Sequence, residues 1–291
     1  MVFLFQFGGP THLETFDMKP DAPDQIRGKY NPISTNVPGV QICEKLPKMA
    51  GVMDKVTLIR GMTHTMKNHN SAAYYALTGK QPPVDDIRLR DSIELFPAYG
   101  SVVDAVKPNR ADVPSFVALP HVCSDGSITP GQHGSFLGKT HDPLLVTEDP
   151  NATDFRLPEL SLPAGVSPDR LAQRRELQGL IDRQLRLIDD SVEARNLDAT
   201  YARAMSLLTS DRVKKAFDLT GEKAETREKY GRTTYGQSLL LARRLVEAEV
   251  KFINVYFMQA SAARASPKGA GIRMGSTTPT CIRSSKSTNC R

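Results

Sequence analysis

The chain alternates between short, nearly unbroken apolar runs and longer segments that mix apolar and charged positions. VFLFQF (Val2–Phe7) is stopped by Gly8-Gly9-Pro10, VTLIRG (Val56–Gly61) comes second, SFVALP (Ser115–Pro120) third and VKFINVYF (Val250–Phe257) fourth. A run that is apolar at consecutive positions predicts a strand buried on both faces, the habit of a parallel sheet between helical layers. Helical patterns separate the runs, around Leu46–Lys55, from about Ser92 to Val106, and over Thr233–Val250, where Leu239, Leu240, Leu241 and Leu245 feed straight into the fourth strand. That order predicts βαβ units and an α/β fold with a doubly wound, mostly parallel sheet.

Between Asp154 and Tyr230 the pattern turns charged and amphipathic. Ser167-Pro168 reads as an N-cap followed by the first helical residue, and Leu171, Leu177, Ile181, Leu185 and Ile188 recur close to helical spacing. Leu197, Tyr201, Met205 and Leu208 mark a second helix. These are expected to form a helical insertion, about residues 154–230, packed on the sheet domain. After Phe257 neither period survives, and residues 258–291 read as a disordered tail.

Charge alters this picture only by removing one class of partner. The formal net charge is +6, with 38 Lys plus Arg against 32 Asp plus Glu. Six of the basic residues, Arg264, Lys268, Arg273, Arg283, Lys286 and Arg291, lie in the tail, which holds no acidic residue. The remaining body is balanced, so no basic stripe exists for phosphates to follow and nucleic acid is not an expected partner. No run approaches the roughly 18 apolar residues of a membrane span. The opening run also lacks the charged flank and small-residue cleavage site of a secretory signal, so nothing in these residues is expected to direct export. Cys43, Cys123, Cys281 and Cys290 have no zinc-ligand spacing, and Cys43 and Cys123 are expected as small buried hydrophobes.

Three segments carry residues capable of chemistry. FGGPTHLETFDMKPDAP (Phe7–Pro23) follows a strand end and offers His12, Glu14 and Asp17, a nitrogen and oxygen set suited to a hard or borderline cation. The plainer reading makes Gly-Gly-Pro a turn and His12 an ordinary loop residue. RGMTHTMKNHNSAAYYALTGKQP (Arg60–Pro82) places His64, His69, Asn70 and Ser71 at the start of a helix. Ser71 there serves either as an N-cap or as a nucleophile beside an anion-binding helix terminus. SITPGQHGSFLGKTHDPLLV (Ser127–Val146) carries His133, His141 and Asp142 on a long loop of the kind that often holds binding residues. Dinucleotide-binding and P-loop glycine spacings are absent.

These segments, with IRGKYNPISTNVPGVQICEKLPKMA, LPELSLPAGVSPDRL and YGRTTYGQSLLLARRLVEAEVKFINV, resemble the domain-of-unknown-function 1501 family over Val2 to Phe257. The resemblance implies a relative of alkaline phosphatases and sulfatases, which hydrolyse phosphate or sulfate esters at one or two metal ions. It implies the alkaline phosphatase-like type of sheet, a divalent metal such as zinc or calcium in the intact parent, and a small or polymeric phosphate or sulfate ester as substrate. It also implies an extracytoplasmic setting, because such proteins usually begin with a twin-arginine export signal. Carried over by motif, His12 and Asp17 become metal ligands, and His69 and Ser71 become catalytic residues. A non-catalytic exported binding or scaffold protein with the same fold is the alternative. Two departures are visible: Glu14 stands where Asp is usual, and Glu249 replaces a more usual Gly just before the fourth strand.

The family continues through a motif reading roughly GGWDTHGFN, whereas this chain reads KGAGIRMGSTTPTCIRSSKSTNCR. Joining the third base of each codon to the first two of the next permits Trp, Asp, Thr and His across Ala270–Met274, and Met274-Gly275 forces Gly. The tail is therefore expected to be the family's own sequence in the wrong frame. On that expectation the chain is a C-terminally incomplete, inactive fragment.

Overall fold

The computed structural model describes residues 1–157 and 210–258, together with Gln173 and Ser206, each of which is helical. The expected helices over 168–189 and 197–208 and the tail past Met258 lie outside the described residues.

Among the described residues four strands form the main sheet: β1 (Val2–Gln6), β4 (Phe116–Leu119), β7 (Leu144–Leu145) and β8 (Phe252–Phe257). Their spatial order is β1-β8-β4-β7 and every neighbouring pair is parallel, with Val2 opposite Ile253, Phe116 opposite Phe252 and Val117 opposite Leu144. Two small antiparallel ribbons stand apart from this sheet, β2 (Pro32–Ser34) with β3 (Gln41–Cys43), and β5 (Ser124–Asp125) with β6 (Ser127–Ile128). The fully described α-helices are α1 (Pro47–Ala50), α2 (His69–Thr78), α3 (Tyr99–Val106), α4 (Asp211–Phe217), α5 (Ala224–Tyr230) and α6 (Thr234–Glu247).

Strand side chains alternate between faces, and each face of the sheet carries its own helices. Val117, Leu119, Ile253 and Val255 pack with Leu240, Leu241 and Leu245 of α6 and with Val213 and Phe217 of α4. On the opposite face Phe3 and Phe5 of β1 join Ala118, Tyr256 and Leu77 of α2. Phe116 and Phe252 meet there too, edge to face at 5.7 Å, beside Ala98 at the start of α3. Full burial of each α6 leucine contributes about 2 kcal/mol. The expected α/β architecture, a mostly parallel sheet with helices on both sides, is therefore present.

Two expectations fail. Val2–Phe7 forms a strand but not a buried central one: among the described residues β1 is an edge strand, and Val2 and Leu4 are 39 % and 48 % exposed. Helix α6 covers β4 and β8 and leaves the same face of β1 open, so only the phenylalanine side of β1 is packed. The run Val56–Gly61 forms no strand. Leu58 packs against the cluster around Ile42 and Met53, while Ile59 is 68 % exposed. The run is apolar, but among the described residues no neighbouring strand is placed to receive it.

Boundaries moved for local reasons. The helix expected from Ser92 begins only at Tyr99, because Pro97 disfavours helical backbone in the residue before it. Cys43 and Cys123 are both buried and unpaired, and burial pushes the Cys123 thiol up to about 12.

Candidate functional site

All four strands of the main sheet run the same way, so the segments leaving their carboxyl ends lie along one edge. At the end of β1 the chain turns through Gly8 and Gly9, whose φ angles of 89° and 66° lie in the left-handed region that side chains avoid. A short 3₁₀ turn, His12–Glu14, follows, and Thr11 caps it by accepting the Leu13 N–H at 3.3 Å.

This turn brings His12 and Asp17 together. The Asp17 N–H donates to the His12 carbonyl at 3.0 Å. Asp17 is almost buried and its carboxylate accepts from Lys19 Nζ at 2.8 Å, with Arg60 Nε at 3.5 Å. The Lys19 hydrogen bond, aided by the positive charges of Lys19, Arg60 and His12, holds the Asp17 carboxyl below its usual range. Arg60 also donates twice to the Phe16 carbonyl, at 3.2 and 3.0 Å, which fixes the irregular 56–61 segment against the first motif.

His69 opens α2 and its ring stacks on Phe7, with centroids 5.5 Å apart. A cavity of about 290 Å³ lies here, lined among others by Phe7, Gly8, Gly9, His64, Lys67 and His69. His64 Nδ1 accepts the Met66 N–H at 3.1 Å, which settles the role of that ring nitrogen. Asp85 accepts the N–H groups of Lys67 and Asn68 at 2.9 and 3.1 Å and orders the approach to α2. Hydrogen bonds, first that from the Asn68 side chain, keep the Asp85 carboxyl below its usual range. His64, already visible in the segment that carries His69, lines this cavity, and so does Lys67, which motif reasoning did not single out.

Ser71 occupies a different place from the one a nucleophile needs. It is fully buried, its hydroxyl donates toward the carbonyls of Val84 and Asp86 at 3.1 and 3.3 Å, and it accepts the Asp86 N–H at 3.0 Å. It does not line the cavity. In this geometry Ser71 ties the 84–86 segment to α2, and the short side chain suits that contact. Its neighbour Asn70 is also buried, donating to the carbonyls of Ile87 and Asp125 and accepting from Thr129 Oγ1 at 2.8 Å.

The described contacts thus join His12 to Asp17 and place His69 with Phe7, His64 and Lys67. Among the described residues no group of three or more His, Cys, Asp and Glu side chains is disposed to hold a metal ion. No described helix is long and apolar enough to cross a membrane.

A family model described as "Protein of unknown function (DUF1501)" matches residues 1–259. No curated protein and no solved structure matches the chain.

Proposed function

The chain belongs to the DUF1501 family, and we propose that the intact parent of this chain is a hydrolase of phosphate or sulfate esters of the alkaline phosphatase-like type. The observation that carries the reading is the cavity where β1 meets α2. Its lining includes His64, Lys67 and His69 together with the Gly8-Gly9 turn. An oxyanion needs such surroundings: a cation for its charge and N–H donors for its lone pairs. On this reading Lys67 binds the ester anion and His64 and His69 hold or move a proton at its bridging oxygen. The nucleophile is a water rather than Ser71, whose hydroxyl is spent on the backbone.

The described residues do not complete a metal site. Asp17 already faces two cations, and His12 and Asp17 lack a third ligand among them. No step is routed through a metal here. A metal in the parent needs ligands beyond the described residues, and the shifted-frame reading of the tail offers an Asp and a His. The family match reaches residue 259, so these tail residues lie outside it. On this reading the parent works in an extracytoplasmic setting.

The test compares this chain with one whose reading frame is restored after Phe257, using p-nitrophenyl phosphate and p-nitrophenyl sulfate with and without EDTA. The expected result is turnover only in the restored chain, lost with EDTA or with His69→Ala and kept in Ser71→Ala. Buried Ser71 and the incomplete ligand set favour one rival, a non-catalytic binding protein. It is established instead if the restored chain folds, binds no metal and turns over neither ester.

A further inference from the structure

The cavity where β1 meets α2 is lined by more apolar side chains than polar ones. Phe5 and Phe7 line it from β1 and the residue beyond, Ala72, Ala73 and Ala76 from α2, and Met66 from the segment before that helix. No Asp or Glu lines it, and Lys67 brings the only permanent charge among the lining residues. We propose, resting on the ester reading of this cavity, that the alcohol half of the bound ester is an aromatic ring. The substrate class is then the phenolic esters of phosphate or sulfate, and not the esters of sugars or nucleosides.

Room for a ring comes from the short side chains of α2. Ala72 and Ala76 stand about one turn apart on the same side of the helix, and methyl groups there leave open the space that longer side chains would fill. The cavity they leave holds about 290 Å³. An apolar cavity of about 150 Å³ is enough for a benzene ring. Space therefore remains for a tetrahedral anion attached to the ring.

The aromatic part of the wall is ordered by its own neighbours. Phe5 and Phe7 meet edge to face at 6.2 Å, and Phe5 meets the fully buried Tyr256 in the same way at 6.3 Å. The His69 ring stacks on Phe7, 28° from parallel. Rings held in this way lose little freedom when a ligand arrives, so contact with an aryl group carries a small entropic cost. Aromatic pairs also attract one another beyond the area they bury.

The same wall disfavours a sugar. A sugar or nucleoside brings several hydroxyls, and one desolvated against Phe5, Phe7, Met66 or an alanine finds no hydrogen-bonding partner. Each such loss weakens binding about tenfold or more. A phenyl ring brings no hydroxyl. The carboxylate of Asp85 accepts the Lys67 and Asn68 N–H groups and does not line the cavity, so no carboxylate in the lining competes with the ester anion for Lys67.

The test is calorimetric titration of the full chain with phenyl phosphate, phenyl sulfate, glucose 6-phosphate and inorganic phosphate. At least one phenyl ester is expected to saturate with a Kd below about 1 mM, about tenfold or more tighter than glucose 6-phosphate or inorganic phosphate. Ala76 is exposed, so Ala76→Gln keeps the helix, checked by circular dichroism, while its amide enters the apolar wall and removes the preference. The proposal is overturned if neither phenyl ester saturates, if glucose 6-phosphate or inorganic phosphate binds as tightly, or if Ala76→Gln leaves the preference unchanged. Turnover by the frame-restored chain separates this from the hydrolase reading. Equal hydrolysis of phenyl and sugar esters sinks the aryl preference and leaves the hydrolase standing. Preferred binding of a phenyl ester without hydrolysis of any ester sinks the hydrolase and leaves the aryl preference standing.

Discussion

Replacing Glu249 by Gly should stabilise the protein, and the end of α6 shows why. Glu249 has φ 70°, left-handed backbone that a side chain disfavours. Its N–H donates to the Val246 carbonyl at 2.9 Å and the Val250 N–H to the Leu245 carbonyl at 3.0 Å. That pair of bonds is the Schellman pattern, in which the residue after the cap is usually Gly. The buried Val250 packs into the cluster that contains Leu245, so the helix end cannot relax by opening. Left-handed backbone costs a non-glycine residue about 1–2 kcal/mol, and the greater freedom of Gly in the unfolded chain returns roughly half of that. The change also removes an ion pair, Arg212 to Glu249 at 2.9 Å, whose exposure limits it to a few tenths of a kcal/mol. The Asn109 side chain donates to the Glu249 carbonyl and is unaffected by the substitution. The net expectation is a gain of about 0.2–0.7 kcal/mol, or a rise of about 0.5–3 °C in Tm. Glu249→Ala loses the same ion pair and keeps the Cβ, so it should be neutral or slightly destabilised. Thermal and urea unfolding of the three proteins decide the matter. A Gly variant no more stable than the Ala variant would refute backbone strain as the cause.

Two further outcomes follow from packing and charge. Gly100→Ala places a Cβ 2.3–2.5 Å from the ring of Phe116, which is itself wedged against Phe252. We expect a loss of about 2–3 kcal/mol in urea unfolding, and an unchanged midpoint would mean that α3 is free to lift from the sheet. Glu222 accepts from Arg244 and Arg243 at 2.6 and 2.8 Å, and the Arg244 hydrogen bond in particular lowers its pKa. A depressed carboxyl stabilises the fold above its unfolded value and loses that contribution as pH falls through the folded one. Glu222→Gln should therefore lower stability at neutral pH and flatten its decline below about pH 4.5, read from urea midpoints between pH 7 and 3.

Local pattern determined the secondary structure best where a run of residues has one dominant partner. Phe116–Leu119, Phe252–Phe257 and the helix before the latter were legible because consecutive apolar residues demand two covered faces and a helix-to-strand crossover supplies one. At Glu249 the family resemblance marked a position where Gly is more usual, and only the structure showed its left-handed backbone. Val2–Gln6 and Val56–Gly61 look no different by composition, yet one is a half-covered edge strand and the other no strand at all. Apolar character states that burial is favourable, but whether a neighbour exists to provide it is a non-local property. The site divides the same way. The segments that carry His12, Asp17 and His69 were legible as a strand end and a helix start, because these are local features. Only the tertiary structure decided that Ser71 turns inward to the 84–86 backbone and that His64 and Lys67 share the cavity with His69. It likewise set His133 between Asp91 and Asp142, residues from two segments that no spacing rule connects. Side-chain direction and the meeting of distant segments are set by packing, and packing is a property of the whole chain.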